Sequence, residues 1–204
     1  MRTIFISAFE GVEAKNILRT PVLTTILEDP EVRVVLLMKS EERIEHYKKE
    51  FTDTRLVYQV VPEYQRGPIS DLDKIFGDLK FFLLRTETTA LRRRLRFEEE
   101  GGYLSYHIGR VIKFLCARRA IRSIIRCLDF SLVRNDLYAK YFDTYRPELV
   151  FLAHLFEEPE IHILREAKRR GVKTVGFVNS WDKVTARCIM RLLPEKAIVF
   201  NEGV

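Results

Sequence analysis

The chain has 204 residues, of which 47% are hydrophobic and 31% are charged, and its formal net charge is +6. This composition is that of a globular protein with enough residues for a core, and it fits one domain more easily than two. No apolar run approaches the roughly 18 residues that a membrane span needs, and the N-terminal segment predicts a first strand rather than a signal peptide. We therefore expect a cytoplasmic protein whose basic character favours polyanionic partners: phosphates, acidic membrane surfaces or nucleic acid.

The three cysteines, Cys116, Cys127 and Cys188, are odd in number and form no CxxC pair. Neither a disulfide framework nor a zinc site is expected from this pattern. We predict buried, reduced thiols, and we expect neither a metal nor a cofactor.

The first five predicted elements alternate between strand and helix. They are strand 2–8, helix 13–27, strand 32–38, helix 41–51 and strand 56–61. Pro21 lies within the first helical pattern and predicts a kink there or a later start. Strand–helix alternation at this spacing predicts right-handed crossovers and a parallel sheet.

The pattern then becomes helical from about residue 70 to residue 145. Helices are predicted from Ser70 toward Glu100, from Tyr103 to Leu128, and from Ser131 or Asn135 to just before Pro147. Alternation resumes with strand 149–152, helix 158–170, strand 172–178 and strand 198–200. The predicted fold class is therefore α/β: a single Rossmann-like domain over residues 1–204, with an open parallel sheet of about six strands, helices on both faces, and a helical insertion between strands three and four.

The connection after the first strand contains one glycine, whereas a dinucleotide fingerprint needs three, and no P-loop sequence is present. We therefore expect no conventional cradle for a nucleotide phosphate. Two interpretations of the polar residues in this region are open: they line a small cleft, or they are ordinary loop and helix-surface residues. These residues are Glu10, Gly11, Asn16 and Arg19.

Polar groups also follow the later strands, where parallel sheets bind their ligands. Asn179, Ser180, Trp181 and Asp182 follow the fifth strand, and Asn201 and Glu202 follow the sixth. Asp182 is a candidate base or hydroxyl-orienting group, or alternatively a helix cap. Trp181 either stacks on a sugar or base or fills the core. His154, at the end of the fourth strand, is either a general base or a packed histidine.

Two arginine clusters lie in the helical stretch. Arg92, Arg93 and Arg94 are consecutive, whereas Arg118, Arg122 and Arg126 recur every four residues and share one helix face. The clusters suit an anionic membrane surface or nucleic acid. The remaining alternative is a solvated face salt-linked to the acidic residues 98–100. No recognised nucleic-acid motif is present, so we do not expect a nucleic-acid partner.

The C-terminal sequence resembles the N-terminal half of GT-B-type glycosyltransferases of bacterial surface-polysaccharide pathways. The matching residues are Arg165 to Gly171 (REAKRRG), Ser180-Trp181-Asp182, Thr185, and Pro194 to Glu202 (PEKAIVFNE). Gly11 and residues 14–20 after the first strand also fit, whereas the helical middle resembles the family poorly. Lys183 stands where Asn is common, and Arg187-Cys188 where Lys-Gly is usual, so contacts to substrate made there in relatives are changed here.

The resemblance implies half of a two-domain enzyme. In such enzymes the N-terminal half holds the acceptor and supplies the base, and the C-terminal half holds the nucleotide-sugar without a metal. We expect this chain to be the acceptor half, lacking the donor domain and inactive without it, with Asp182, His154 and Glu10 as candidate bases. The basic helices would dock at the inner membrane face near a lipid-linked acceptor. The alternatives are a non-catalytic ligand- or partner-binding module and half of an epimerase-like sugar-nucleotide enzyme.

Overall fold

The structure, a computed structural model, describes residues 1–65, 68–180 and 182–199. The chain forms two compact units. The sheet unit comprises Met1–Gly67, Asn135–Asn179 and Pro194–Phe200, and the helical unit comprises Pro68–Arg134, Ser180–Leu193 and Asn201–Val204. The helical stretch predicted from the sequence thus supplies most of the second unit.

The sheet unit contains a six-stranded, all-parallel sheet. Its strands are β1 (Arg2–Ser7), β2 (Val32–Met38), β3 (Leu56–Val60), β4 (Leu149–Leu152), β5 (Lys173–Phe177) and β6 (Lys196–Ile198). Their order is β3-β2-β1-β4-β5-β6. The predicted open parallel sheet is confirmed. The sixth strand begins two residues earlier than predicted, and Phe200 lies outside the described residues.

Nine α-helices are assigned in the described part of the chain. They are α1 (Gly11–Ile17), α2 (Pro21–Leu27), α3 (Glu41–Glu50), α4 (Asp71–Phe82), α5 (Glu87–Glu100), α6 (Tyr103–Cys116), α7 (Arg119–Leu132), α8 (Ala139–Tyr145) and α9 (Glu158–Arg169). A 3₁₀ turn spans Pro62–Gln65 and a π-helical turn spans Lys183–Arg187. None of these helices is long and apolar enough to cross a membrane.

Helices cover both faces of the sheet, as predicted. Ile6 and its neighbours on one face join a buried apolar cluster with residues of α1, α2 and α3. On the other face the ring of Phe5 packs 5.3 Å from the ring of Phe142 in α8, in an edge-to-face arrangement. Alternate residues of one strand therefore enter two different cores, which explains why β2 (VRVVLLM) is almost continuously apolar.

Three helices that the sequence predicts as continuous are each divided into two shorter helices in the structure. The predicted helix 13–27 breaks at Thr20, after which Pro21 occupies the first position of α2. The helix predicted from Ser70 toward Glu100 breaks before Thr86, whose hydroxyl accepts a hydrogen bond from the Thr89 N–H at 3.2 Å and so caps α5. The helix predicted over 103–128 breaks at residues 117 and 118. The apolar spacing continues across all three breaks, so periodicity alone did not locate them.

The helical unit is held by a buried ion triad. Nη2 of Arg191 lies 2.8 Å from Asp73 in α4 and 2.8 Å from Asp129 in α7, and its Nε donates to Asp129 at 2.9 Å. All three side chains are nearly fully buried. A small apolar cluster of Leu83, Leu84 and Ile189 supplements the triad. Segment 180–193 is thereby fixed to α4 and α7.

The cysteines correct one expectation. None of the three cysteines, all of which the structure describes, forms a disulfide, but only Cys188 is buried, whereas Cys116 is half-buried and Cys127 is exposed on α7. The prediction of buried thiols is therefore wrong for Cys127, because α7 packs fewer of its apolar residues inward than its pattern suggests.

Candidate functional site

The sheet has a topological switch point between β1 and β4. From β1 the chain moves outward through β2 and β3, and from β4 it moves outward in the opposite direction through β5 and β6. The helices that follow β1 and β4, which are α1 and α9, consequently lie on opposite faces and leave a crevice at the carboxyl ends of these strands. Open α/β sheets bind their ligands in this crevice.

One wall of the crevice carries Glu160, in the first turn of α9. The Ser7 hydroxyl donates a hydrogen bond to its Oε1, and the His154 main-chain N–H donates to the same atom at 3.0 Å. The Ala153 N–H donates to the Ser7 oxygen at 2.8 Å, which fixes the hydroxyl. Burial raises the pKa of Glu160 well above its usual value, and the charge of Glu13 raises it further.

The facing wall carries Glu13, in α1. Its Oε2 accepts the main-chain N–H groups of Phe9 at 2.7 Å and Glu10 at 2.9 Å. Burial nevertheless raises its pKa to about 7, because desolvation outweighs these two bonds and the charges of Glu10 and Glu157 add to the shift. Two buried carboxyl groups with raised pKa values therefore stand at the switch point, and the charge of Glu13 disfavours that of Glu160.

His154, a predicted base, lies in the same crevice and is buried. Its Nδ1 accepts the Phe156 N–H at 3.2 Å, so the neutral ring carries its proton on Nε2. Nε2 lies 4.0 Å from Oε1 of Glu157, which is the more exposed carboxylate beside it. In this arrangement His154 offers a hydrogen-bond donor rather than a free base at Nε2.

Glu10, also predicted as a base, precedes α1 at the mouth of the crevice. Lys39 lies 2.6 Å from one of its oxygens and Arg43 lies 3.3 Å from the other. Two cations therefore stabilise its negative charge. Gly11 is the exposed first residue of α1.

The structure places Asn16 and Arg19 in local and surface contacts. The Asn16 carbonyl accepts the Thr20 hydroxyl at 2.9 Å. Arg19 makes a two-pronged ion pair with Glu50 at 2.7 and 2.8 Å, and both partners are exposed. Arg19 is thus occupied by a surface ion pair with α3.

The residues after β5 divide between the two units. Asn179 belongs to the sheet unit, and its buried Oδ1 has no hydrogen-bond donor among the described residues. Ser180 and Asp182 belong to the helical unit, where the Ser180 hydroxyl donates to Asp182 and lowers the pKa of that exposed carboxyl. Asp182 precedes the π-helical turn without a side-chain cap bond. Trp181, Asn201 and Glu202 lie outside the described residues.

The consecutive arginines of α5 do not form one surface. Arg92 donates to the Ala186 carbonyl at 2.9 Å, and Arg94 pairs with Glu98 at 2.9 Å. Arg93 lines a cavity between α5 and α6. Successive helical residues point about 100° apart, which separates the three side chains.

The second arginine cluster follows α7. Arg118 is the exposed residue that precedes this helix, and Arg122 is half-buried. Arg126 donates to the Met190 carbonyl at 3.0 Å, and burial lowers its pKa. Of the three arginines of this cluster that were predicted to contact a membrane surface, Arg118 is the most exposed to solvent.

Sequence reasoning missed Ser7, Glu13 and Glu160. The available signal was positional: the helices that follow β1 and β4 each carry a glutamate near their start. That signal becomes informative only once β1 and β4 are known to be neighbours, since the sequence separates them by more than half the chain.

Comparison with known proteins gives no match, whether the chain is compared with protein-family models, with curated proteins or with solved structures. Function is therefore argued from the geometry of the site.

Proposed function

We propose that this chain is the acceptor-binding half of a glycosyltransferase. It binds a saccharide or lipid-linked acceptor at the switch point, and a second domain or subunit supplies the nucleotide-sugar. The proposal depends mainly on one observation: the Glu13 carboxyl is buried beside the start of α1, close to where this fold usually holds a pyrophosphate, and it accepts the N–H groups of Phe9 and Glu10 that precede the helix. The same carboxyl has a pKa of about 7, which suits a proton acceptor at neutral pH.

The route of the proposed proton transfer follows from how deeply each carboxyl group of the crevice is buried. Glu157 is about one-third exposed, whereas Glu13 and Glu160 are almost completely buried. An acceptor hydroxyl would meet Glu157 and receive a hydrogen bond from Nε2 of His154. As the acceptor oxygen bonds to the anomeric carbon and the nucleoside diphosphate leaves, the hydroxyl proton passes to Glu157 and then inward to Glu13.

Both alternative functions make different demands on the crevice. Half of an epimerase-like enzyme would have to grip a nucleotide phosphate, and a phosphate at α1 would face the carboxylates of Glu10 and Glu13. A non-catalytic module would bind its ligand without needing a titrating carboxyl. The Glu13 carboxylate, which would repel the phosphate of a nucleotide donor, and the raised pKa of this group therefore favour the acceptor role.

Binding measurements test the proposal. We expect a glycan array of bacterial surface oligosaccharides to show saccharide binding, and calorimetry with UDP-, GDP- and TDP-glucose to show none. Glu157→Gln should weaken saccharide binding about tenfold, the effect of losing a charged hydrogen bond. Glu50→Gln, which removes one exposed carboxylate elsewhere in the sheet unit, is the matched control.

Each contrary outcome identifies another function. Tight binding of a nucleotide-sugar by this chain alone would contradict the acceptor role and favour a nucleotide-binding enzyme. Saccharide binding that is equally strong in Glu157→Gln and independent of pH near 7 would favour the non-catalytic module.

We further propose that the helical unit docks on the anionic inner face of the cytoplasmic membrane. Leu104, Ile108, Val111 and Leu115 recur at helical spacing along α6 and are between 49% and 73% exposed. Residues 103–132 contain six basic residues and one acid, Asp129, which is buried in the ion triad. An exposed apolar stripe among basic side chains complements an acidic lipid surface.

Vesicle co-sedimentation tests this docking. The double variant Leu104→Gln/Ile108→Gln should lower binding to phosphatidylglycerol vesicles at least tenfold, because two leucine-sized side chains are no longer buried in lipid. Val12→Gln, which changes an exposed apolar residue of α1, should bind as the wild type does. Equal loss in both variants, or no loss in the double variant, would contradict docking through α6.

A further inference from the structure

The helical unit contains a cavity of about 830 Å³ between α5 and α6. From α5 it is lined by Thr89, Ala90 and Arg93, and from α6 by Tyr106, Arg110 and Lys113, among others. Thr89 and Arg93 are four residues apart in α5, and Tyr106, Arg110 and Lys113 are separated by four and three residues in α6, so each of these sets lies on one helix face. Of the exposed apolar stripe on α6, Val111 also lines the cavity, whereas Leu104, Ile108 and Leu115 do not.

The cavity concentrates positive charge without a counter-charge. Four cationic side chains line it, Arg85, Arg93, Arg110 and Lys113, and the described lining includes no carboxylate. None of the four makes an ion pair within the part of the chain that the structure describes. Arg94, one residue from Arg93, does pair with Glu98, so the lack of pairing is a property of the cavity and not of the whole helix.

Arg93 is the most constrained of these cations. Its Nη2 is buried and has no hydrogen-bond acceptor among the described residues. A Cβ at Gly109 would lie 3.9 Å from the Arg93 Nε, so the guanidinium rests against α6 where that helix has no side chain. Burial and the nearby Arg110 lower its pKa, yet an arginine remains charged at any physiological pH. A buried guanidinium donor without an acceptor is costly unless a ligand supplies one.

Lys113 is a second cation that lines the inner part of the same cavity. Burial, and then the charge of Arg93, lower its pKa to about 8. Arg85 stands over the ring of Phe114 at 5.1 Å, which holds this exposed guanidinium at the cavity rim. Two half-buried cations therefore lie beneath two exposed ones, Arg85 and Arg110.

We propose that this cavity is a binding site for a phosphate-bearing anion, with Arg93 and Lys113 as its inner ligands. Guanidinium groups bind phosphate oxygens through paired N–H donors, and the volume accommodates more than a single phosphate group. The phosphate belongs either to a soluble diphosphate or to a phospholipid headgroup at the membrane. The site shares no residue with the carboxylate crevice, so it stands or falls independently of the proposed transferase role.

Calorimetry with inorganic pyrophosphate and sedimentation with phosphatidic acid vesicles distinguish the two sources. We expect saturable binding to one of these probes and at least a tenfold loss of affinity in Arg93→Gln. The matched control is Arg94→Gln, which removes the same charge from the next residue of α5 and should leave affinity unchanged. At pH 8, pyrophosphate binding to the wild type should also take up protons, since a bound anion favours the charged form of Lys113.

Each outcome of these measurements either supports the proposed site or overturns it. Loss in Arg93→Gln but not Arg94→Gln supports the site, and the probe that binds identifies its source. Binding to neither probe, equal loss in both variants, or unchanged affinity in Arg93→Gln would overturn the proposal. Circular dichroism of Arg93→Gln establishes that it is folded, and folding is expected because Arg93 makes no ion pair that the substitution could break.

Discussion

Glu13, in the carboxylate crevice of the sheet unit, and Arg93, in the cationic cavity of the helical unit, are charged groups that make no ion pair with the described residues. They differ in how their charge can be neutralised. Glu13 can take up a proton, and its pKa of about 7 shows that burial favours this. Arg93 cannot release its proton, so only an external anion can compensate it. Uncompensated acids therefore create an acid–base site, whereas uncompensated arginines create an anion-binding site.

The Arg191 triad is the reference for this comparison, since its side chains are buried and its cation is paired with carboxylates of the same chain. Arg191→Met should lower the free energy of unfolding by about 3–5 kcal/mol, because Asp73 and Asp129 would remain buried and lose their contacts with the Arg191 guanidinium. Urea unfolding measures this, with Arg19→Met as the control: its pair with Glu50 is exposed to solvent and should contribute little to stability. Similar losses in the two variants would show that burial does not matter here.

Replacing Glu13, a buried acid that makes no ion pair with the described residues, should raise the free energy of unfolding rather than lower it. Glu13→Gln should stabilise the protein at pH 8 by up to about 3 kcal/mol, since Gln can accept the same two N–H groups without a buried charge. The folded-state pKa of Glu13 lies above the unfolded value, so its contribution to stability is complete below pH 4.5 and is lost as pH rises to about 7. The advantage of the variant should therefore shrink toward pH 4.5 in urea unfolding curves. A constant advantage across this range would contradict the raised pKa.

Ser7→Ala tests how strongly the crevice depends on its neutral donors. The buried Ala153 N–H would lose its acceptor and Glu160 would lose one donor, at a cost of roughly 1–3 kcal/mol. Thermal unfolding should show this loss, whereas Thr24→Ala on exposed α2 should change stability by less than about 0.5 kcal/mol. A cost as small as that of the control would mean that water replaces the Ser7 hydroxyl.

The smallest expected effect is that of Arg93→Met. Because no acceptor or carboxylate among the described residues binds this guanidinium, its removal should change the free energy of unfolding by less than about 1 kcal/mol in phosphate-free buffer. Compared with Arg191→Met, this variant removes the same side-chain type from the same unit. A loss approaching that of Arg191→Met would indicate that Arg93 is structurally compensated.

The sequence predicted the parallel sheet because strand patterns depend on neighbouring residues in the chain. VRVVLLM and LVFL are apolar runs of strand length, and the helices between them have clear caps at Ser40 and Ser70. It did not predict the helix breaks at Thr86, where a hydroxyl caps α5, and at residues 117 and 118, where α7 begins without a side-chain cap. His154 and Glu10 were placed correctly near strand ends, but their ionic and hydrogen-bond partners depend on tertiary contacts.

Glu13 shows why the site was harder to predict than the fold. In sequence it is one of several glutamates near the start of a helix, and nothing local distinguishes it from Glu41 or Glu42 in α3. Its burial follows from the pairing of β1 with β4, which brings α9 and Glu160 to the same crevice. The property that defines the site, the coupling of two carboxyl groups, therefore exists only in the assembled sheet.

The pairing of β1 with β4 also sets the order in which the sheet can be completed during synthesis. β1, β2 and β3 lie within about 60 residues of one another and can associate early, but residue 4 must wait for its partner at residue 149, which is synthesised much later. Until then one edge of β1 presents unpaired N–H and C=O groups to other chains. Closing so long a loop is slow, so the nascent protein passes through a prolonged stage that is open to aggregation and to chaperone binding.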